Sequence, residues 1–116
     1  MAILADTCII IDYLRGKLEL KNDIVINPII ELELLVGARN KAEQREIAKL
    51  LDTIDIVELN GSSLELARVL IIKHSLSHNL KIPDALIATT SIIYDLPLWT
   101  HNKKDFRYID GLALYE

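Results

Sequence analysis

Cysteine, aromatic residues, glycine and proline are all scarce in this sequence. With a single cysteine, Cys8, no disulfide can form within the chain, so we expect an intracellular, reducing setting. The start of the sequence marks no base partner for Cys8, which favours a buried core thiol over a nucleophile. Four glycines, three prolines and a 51% hydrophobic content favour an ordered, compact fold. Because aromatics make up only 5% of the residues and Ile and Leu dominate, the core is expected to be aliphatic.

Long apolar runs and an excess of basic charge are also absent. Charged residues interrupt every stretch that approaches the length of a membrane span, and the apolar start has no basic segment typical of a secretory signal. The net charge of −4 argues against broad, nonspecific binding to nucleic acid. We therefore expect a soluble, cytoplasmic protein, and 116 residues allow a single domain, 1–116, around one core.

Short apolar runs alternate with helical patterns along the whole chain. The predicted strands are 2–5, 24–26, 54–59, 96–100 and 111–115. The predicted helices run from Asp6 to a stop at Gly16, from Pro28 to Ala38, from Lys41 to Asp52, from Ser62 to Asn79 and from Pro83 to Tyr94. This alternation is typical of βαβ units, and it predicts an α/β fold with a mostly parallel sheet covered on both faces.

The longest predicted helix has a start signal and an apolar face. Ser62 followed by Glu65 has the spacing of a capping box. The predicted buried face of this helix consists of Leu64, Leu66, Ala67, Val69, Leu70 and Ile71. His74 and His78 lie four residues apart, a spacing that can bind metal, but no third ligand is apparent and we expect exposed polar positions.

Acidic residues lie at or near the junctions between predicted strands and the helices or loops that follow them. Asp6 ends the first strand, Glu33 lies early in the second helix, Asp84 occupies the first turn of its helix, and Asp105 follows the strand at 96–100. Loops after parallel strands share one edge of the sheet, so at least Asp6, Glu33 and Asp105 are expected to converge. The alternative for each acid is a solvated or capping residue, and Asp6 or Thr7 is a good N-cap.

Converging carboxylates raise one another's pKa unless a cation lies among them. An oxygen-only set of ligands suits Mg²⁺ or Mn²⁺, and the sequence offers no His or Cys cluster for zinc. The pattern alone therefore allows a divalent-cation site but does not prove convergence.

Four blocks of sequence, in order, resemble one known family, the PIN domain, and most closely its VapC-type toxins of toxin–antitoxin pairs. The blocks are Leu4-Ala5-Asp6-Thr7, Glu33-Leu34-Leu35-Val36-Gly37-Ala38, Ile82-Pro83-Asp84-Ala85-Leu86-Ile87-Ala88 and Thr100-His101-Asn102-Lys103-Lys104-Asp105-Phe106. The resemblance spans essentially the whole chain. It implies a three-layer α/β/α fold, a metal-dependent endoribonuclease acting on RNA, a cognate antitoxin and a homodimer.

The resemblance also implies roles for individual residues. Asp6, Glu33 and Asp84 match the three central acids and Asp105 the fourth, with Asp6 and Asp84 at the positions most directly used for Mg²⁺. The supporting polar positions are Thr7, Thr100 and Asn102. Basic residues would form the rim that contacts RNA, namely Arg15, Arg39, Lys103, Lys104 and Arg107. The alternative interpretation of each is a solvated surface charge without a role in binding.

The sequence departs from the family at Glu31, where a Thr or Ser is usual. Two residues correspond to about 200° around a helix, so Glu31 is expected to point away from the site that Glu33 faces. The alternatives to a toxin are a PIN-like module that only binds proteins and a housekeeping PIN nuclease without antitoxin. A phosphoryl-transfer enzyme using Asp6 as nucleophile is disfavoured because Cys8 occupies the place of its second acid.

Overall fold

A four-stranded parallel sheet forms the centre of the molecule. The computed structural model describes residues 1–21 and 23–116. Its strands are β1 (Ile3–Ala5), β2 (Ile24–Ile26), β3 (Asp55–Ile56) and β4 (Leu98–Trp99). Its helices are α1 (Thr7–Leu14), α2 (Pro28–Val36), α3 (Lys41–Leu51), α4 (Gly61–His78) and α5 (Ile82–Ile93), with a short 3₁₀ turn at Lys103–Asp105. The predicted three-layer α/β/α architecture is confirmed.

The strand order β3-β2-β1-β4 places the topological switch point of the sheet between β1 and β4. β2 pairs with one side of β1, and β3 pairs with β2. β4 then pairs with the other side of β1. In open parallel sheets a crevice forms at such a switch, outside the carboxyl ends of the strands. The residues that follow β1 and β4, Asp6 and Thr100, stand at this point.

The core is aliphatic, as predicted. Every residue of β1 and β2 is buried, which is expected when helices cover both faces of a parallel sheet. The largest fully buried side chain is that of Phe106, which is 1% exposed. No helix within the described part of the chain has the length and apolarity needed to cross a membrane.

Two predicted helix boundaries are confirmed by their local geometry. Pro28 is the first residue of α2, and the Asn27 side chain caps that helix by accepting the Ile30 N–H at 2.9 Å. Beyond α1, Gly16 adopts a φ of +74°, a conformation that side chains other than glycine's disfavour.

The outer strands are shorter than predicted. The segment 54–59 yields only the two residues of β3, followed by one more bond from Val57 N–H to the Ile26 carbonyl. The segment 111–115, predicted as a strand, forms a single bridge between Leu114 and Leu98. Both segments lie at the edges of the sheet, where one side has no strand to extend the ladder, so an apolar pattern alone overestimates the strand.

The predicted capping box of α4 is wrong, whereas most of its predicted apolar face is confirmed. The cap is Asn60, whose side chain accepts the Ser63 N–H at 3.0 Å while the Ser63 hydroxyl accepts the Asn60 N–H at 3.3 Å. The helix therefore starts at Gly61, and its buried residues are Ser63, Ala67, Leu70 and His74.

Leu64 and Val69, predicted to be buried, are exposed. His74, predicted to be exposed, is buried, whereas His78 is exposed as predicted. The other predicted residues do pack inward: Ala67 and Leu70 are buried, and Leu66 and Ile71 are partly buried against the core.

Candidate active site

Asp6 is both a helix cap and a buried group of the crevice. Its side chain is 7% exposed, and its Oδ1 accepts the Thr7 N–H at 2.7 Å, which caps α1. Its Oδ2 accepts the Thr100 hydroxyl at 2.8 Å, so one carboxylate joins the ends of β1 and β4. These two bonds fix the direction in which the remaining lone pairs of Asp6 point.

Glu33 reaches the same end of the sheet from α2. Its Oε1 accepts the Thr7 hydroxyl at 2.8 Å. Thr7 therefore contacts two of the four acids, through its N–H and its hydroxyl. Glu31 lies in the first turn of α2, where helix geometry directs it away from Thr7.

Asp84, in the first turn of α5, experiences the charge of the other acids. Its pKa is raised from 3.8 to about 6, first because the carboxyl group is partly buried and then because Asp6, Glu33 and Asp105 carry like charges, an effect that Lys81 opposes. Asp6, Glu33 and Asp105 thus each lie within electrostatic reach of Asp84.

The donor set suits a hard divalent cation. Four carboxylates offer the oxygen ligands that Mg²⁺ and Mn²⁺ prefer, and a cation among them would relieve the repulsion at Asp84. Within residues 1–21 and 23–116, no three His, Cys, Asp or Glu side chains already stand close enough to hold an ion. The residues fit the ion in their chemistry, and holding it would require the carboxylates to draw together.

Comparison with known proteins decides the family. The model of the PIN domain matches residues 3–112 of the 116 in the chain. The chain belongs to the PIN domain family. A protein of Rickettsia bellii named Ribonuclease VapC is 30% identical over 98% of this chain and 95% of its own length.

Solved structures are similar to this PIN domain over nearly its full length. A toxin–antitoxin complex from Klebsiella pneumoniae contains a chain with 30% identity and a TM-score of 0.77, with 98% of both chains covered. A DNA-bound VapBC structure from Salmonella typhimurium gives a TM-score of 0.83 at 18% identity, covering 99% of this chain and 97% of that one, which shows the common fold.

The loop after β4 shapes the wall of the PIN domain's crevice. The Asn102 N–H donates to the Thr100 hydroxyl at 3.0 Å, so Asn102 supports Thr100 through its backbone. Cys8 is half-buried, and its Sγ lies 3.8 Å from Asp6 Oδ2 and 3.7 Å from Thr100 Oγ1. Burial raises the pKa of this thiol, which keeps it protonated, and Cys8 borders the acids instead of lying deep in the core.

The predicted basic rim separates into distinct groups. Arg39 bonds Glu43 at 2.7 Å and Lys103 bonds Glu116 at 2.8 Å, so both already have acidic partners. Arg15 and Arg39 line a cavity of about 160 Å³ between α1, α2 and α3 that none of the four acids lines. The side chains of Lys104 and Arg107 are exposed beside the loop that carries Asp105.

An aromatic cluster beside Asp84 and Asp105 escaped the sequence analysis. The Tyr108 ring stacks on His78 with 4.0 Å between ring centroids. Burial first, and then the charges of Asp84 and Asp105, raise the pKa of Tyr108. The spacing of His74 and His78 indicated that the two side chains lie near each other on α4. Nothing in the sequence indicated that Tyr108 would pack against them.

Proposed function

We propose that this PIN domain is a Mg²⁺- or Mn²⁺-dependent endoribonuclease, the toxin of a toxin–antitoxin pair. The observation that carries the proposal is that Thr7, at the switch point of the sheet, hydrogen-bonds both Asp6 and Glu33, whose charges reach Asp84. The name of the Rickettsia bellii relative, a ribonuclease, supports RNA as the substrate.

The residues of the crevice would bind the cation and orient the carboxylates that hold it. Asp6 and Asp84 would hold the cation, with Glu33 and Asp105 completing the negative pocket. When bound, the ion supplies Lewis acidity to a water molecule and to the scissile phosphate. Thr100 and the Thr7 N–H hold the two oxygens of Asp6, and the Thr7 hydroxyl holds Glu33. Such outer hydrogen bonds fix ligand geometry.

An antitoxin and a second copy of the chain are the proposed protein partners. The Klebsiella pneumoniae structure with 30% identity is a toxin–antitoxin complex, which supports an antitoxin for this chain. Exposed apolar side chains on α4 support self-association.

The proposed activity is tested by RNA cleavage with Mg²⁺ or Mn²⁺ and in EDTA. We expect cleavage with either cation and loss of cleavage in the chelator. Glu33→Gln should nearly abolish turnover, with a loss of roughly 100-fold, because it removes one of the acids at the crevice. Glu31→Gln is the matched control on the same helix and should retain most of the activity.

Undiminished cleavage in EDTA, with metal shown to be absent, would contradict the metal requirement. A larger loss in Glu31→Gln than in Glu33→Gln would mean that the assignment of α2 to the crevice is wrong.

A further inference from the structure

A cavity of about 160 Å³ lies directly beside the acids, at the carboxyl end of α4. Asp84 and Asp105 form one part of its wall, and His78, Lys81 and Tyr108 form another. Since Asp84 and Asp105 belong to both, the cavity and the crevice are continuous. We call this cavity the base slot.

The aromatic wall of the base slot is built from stacked rings. The planes of Tyr108 and His78 are 12° apart at a centroid distance of 4.0 Å. The edge of His74, which is 7% exposed, packs against Tyr108 at 4.9 Å. His74 therefore supports Tyr108 from within the core, while His78 is exposed and presents its ring outward.

The end of α4 sets the position of the exposed ring. Asn79 ends the helix in the left-handed conformation, with a φ of 56°, so the chain turns away immediately after His78. Lys81 follows this turn and is exposed at the mouth of the cavity. An aromatic stack and an ammonium group thus flank one opening.

We propose that the base slot receives a nucleobase of the RNA substrate adjacent to the scissile phosphate, stacked on the exposed His78 ring, whose other face Tyr108 covers. The inference rests on the proposed ribonuclease function. Asp84 and Asp105 disfavour an anion inside the cavity, whereas a flat, uncharged ring extends the stack. Lys81 attracts the phosphate that joins this base to the next nucleotide. Such a subsite makes cleavage depend on the nucleotide at one position.

The test couples a change in the RNA to a change in the protein. A single-stranded RNA oligonucleotide that binds the wild type is made with an abasic site at each position in turn, and KM and kcat are measured where it is cleaved. At one position the abasic RNA should bind roughly tenfold more weakly to the wild type, a rise in KM. His78→Ala should cause the same loss with intact RNA and no further loss with the abasic RNA. His78→Phe should restore the wild-type KM, because it keeps a ring for stacking.

Tyr94→Leu is the control for removal of an exposed aromatic ring elsewhere and should leave KM unchanged. The same RNAs are also titrated by fluorescence anisotropy against Glu33→Gln protein with and without His78→Ala, which requires no cleavage.

If RNA is cleaved but His78→Ala and the abasic site are additive at every position, the base slot is overturned and the ribonuclease stands. If no RNA is cleaved yet binding shows the coupling, the base slot stands and the proposed enzymatic function fails. Absence of both cleavage and coupling rejects both.

Discussion

Asp84 is an acid of the crevice whose charged form is disfavoured, first by burial and then by the charges of Asp6, Glu33 and Asp105. Its folded pKa of about 6 lies above the 3.8 of an unperturbed carboxyl group, so between these values the folded protein binds more protons than the unfolded chain. The associated stability is fully present below pH 3.8 and is lost as the pH rises through about 6. At neutral pH the metal-free protein therefore holds Asp84 as an unfavourable anion.

Replacing Asp84 by Asn should raise the melting temperature of the metal-free protein at neutral pH, because the like charge is removed. The same change should shrink the further rise caused by Mg²⁺, since a proposed ligand is lost. A cation that binds only the folded state stabilises by about 2.7 kcal/mol at a hundredfold excess over Kd. Thermal melting with and without Mg²⁺, at fixed ionic strength, measures both effects.

Glu46→Gln changes an exposed acid of α3 and should show neither effect. A full Mg²⁺ shift in Asp84→Asn would show that Asp84 is not a metal ligand. An unchanged metal-free melting temperature would mean that repulsion at this residue is weak.

Asp6 and Asp84 were predictable as candidates because Asp6 follows β1 and Asp84 lies in the first turn of α5. Glu33, past the middle of α2, and Asp105, in the turn beyond β4, depended on the resemblance to the family. The distinction between Glu31 and Glu33 followed from helix geometry, and Thr7 indeed bonds Glu33. The stacking of Tyr108 on His78 was not predictable, since it joins α4 to a loop beyond β4 through contacts that no local pattern encodes.

At the scale of elements, α4 carries a titratable group into the core. Burial chiefly, together with the charges of Lys73 and His78, lowers the pKa of His74 below 6.5, while Asp110 opposes the shift. Between the folded pKa and pH 6.5, His74 is therefore protonated in the unfolded chain but neutral in the folded protein. Stability from this site is present above pH 6.5 and is lost as the pH falls toward the folded pKa.

His74→Phe should make the melting temperature less sensitive to acid than that of the wild type below pH 6.5. The ring still packs against Tyr108, and a buried nitrogen that lacks a hydrogen-bond partner, Nε2, disappears. The measurement is melting temperature against pH for both proteins, so that the opposite contribution of Asp84 cancels in the difference.

Ser63→Ala is the control from the same buried face of α4. It removes the hydroxyl that accepts the Asn60 N–H in the capping box and should lower the melting temperature by a similar amount at every pH. If His74→Phe and the wild type lose stability in parallel below pH 6.5, the acid sensitivity does not arise at His74.

The order and type of the helices and the central strands were predictable because periodicity and cap residues agree there. The face of α4 was predictable only in part, because apolar residues lie on several sides of this helix and tertiary packing decides which of them are buried. The start of α4 was also mispredicted, because its cap, Asn60, lies two residues before the predicted Ser62.

At the scale of the whole molecule, three of the exposed apolar residues form a stripe on α4. Val69, Ile72 and Leu76 are 52%, 66% and 99% exposed, and their spacing places them on one side of the helix. We expect this stripe to pack against a second copy, because a patch of this kind usually marks a partner surface.

Leu76→Glu should convert the expected homodimer to a monomer, since dimerisation would bury a charge without a partner. Sedimentation velocity at micromolar concentration measures the change. Ser62→Glu adds the same charge at the other end of α4 and should leave the dimer intact. A monomeric wild type would reject the homodimer, and a dimeric Leu76→Glu protein would place the interface elsewhere.

The bond between Thr100 and Asp6 joins residues 94 positions apart, and this separation dictates when the enzyme becomes complete during synthesis. A nascent chain that has emerged as far as α5 already contains three of the acids, yet one side of β1 is still an open strand edge. The chain acquires the hydroxyl that orients Asp6, and then Asp105, only after β4 leaves the ribosome. For the proposed toxin, this late assembly means that a chain still on the ribosome holds an incomplete crevice.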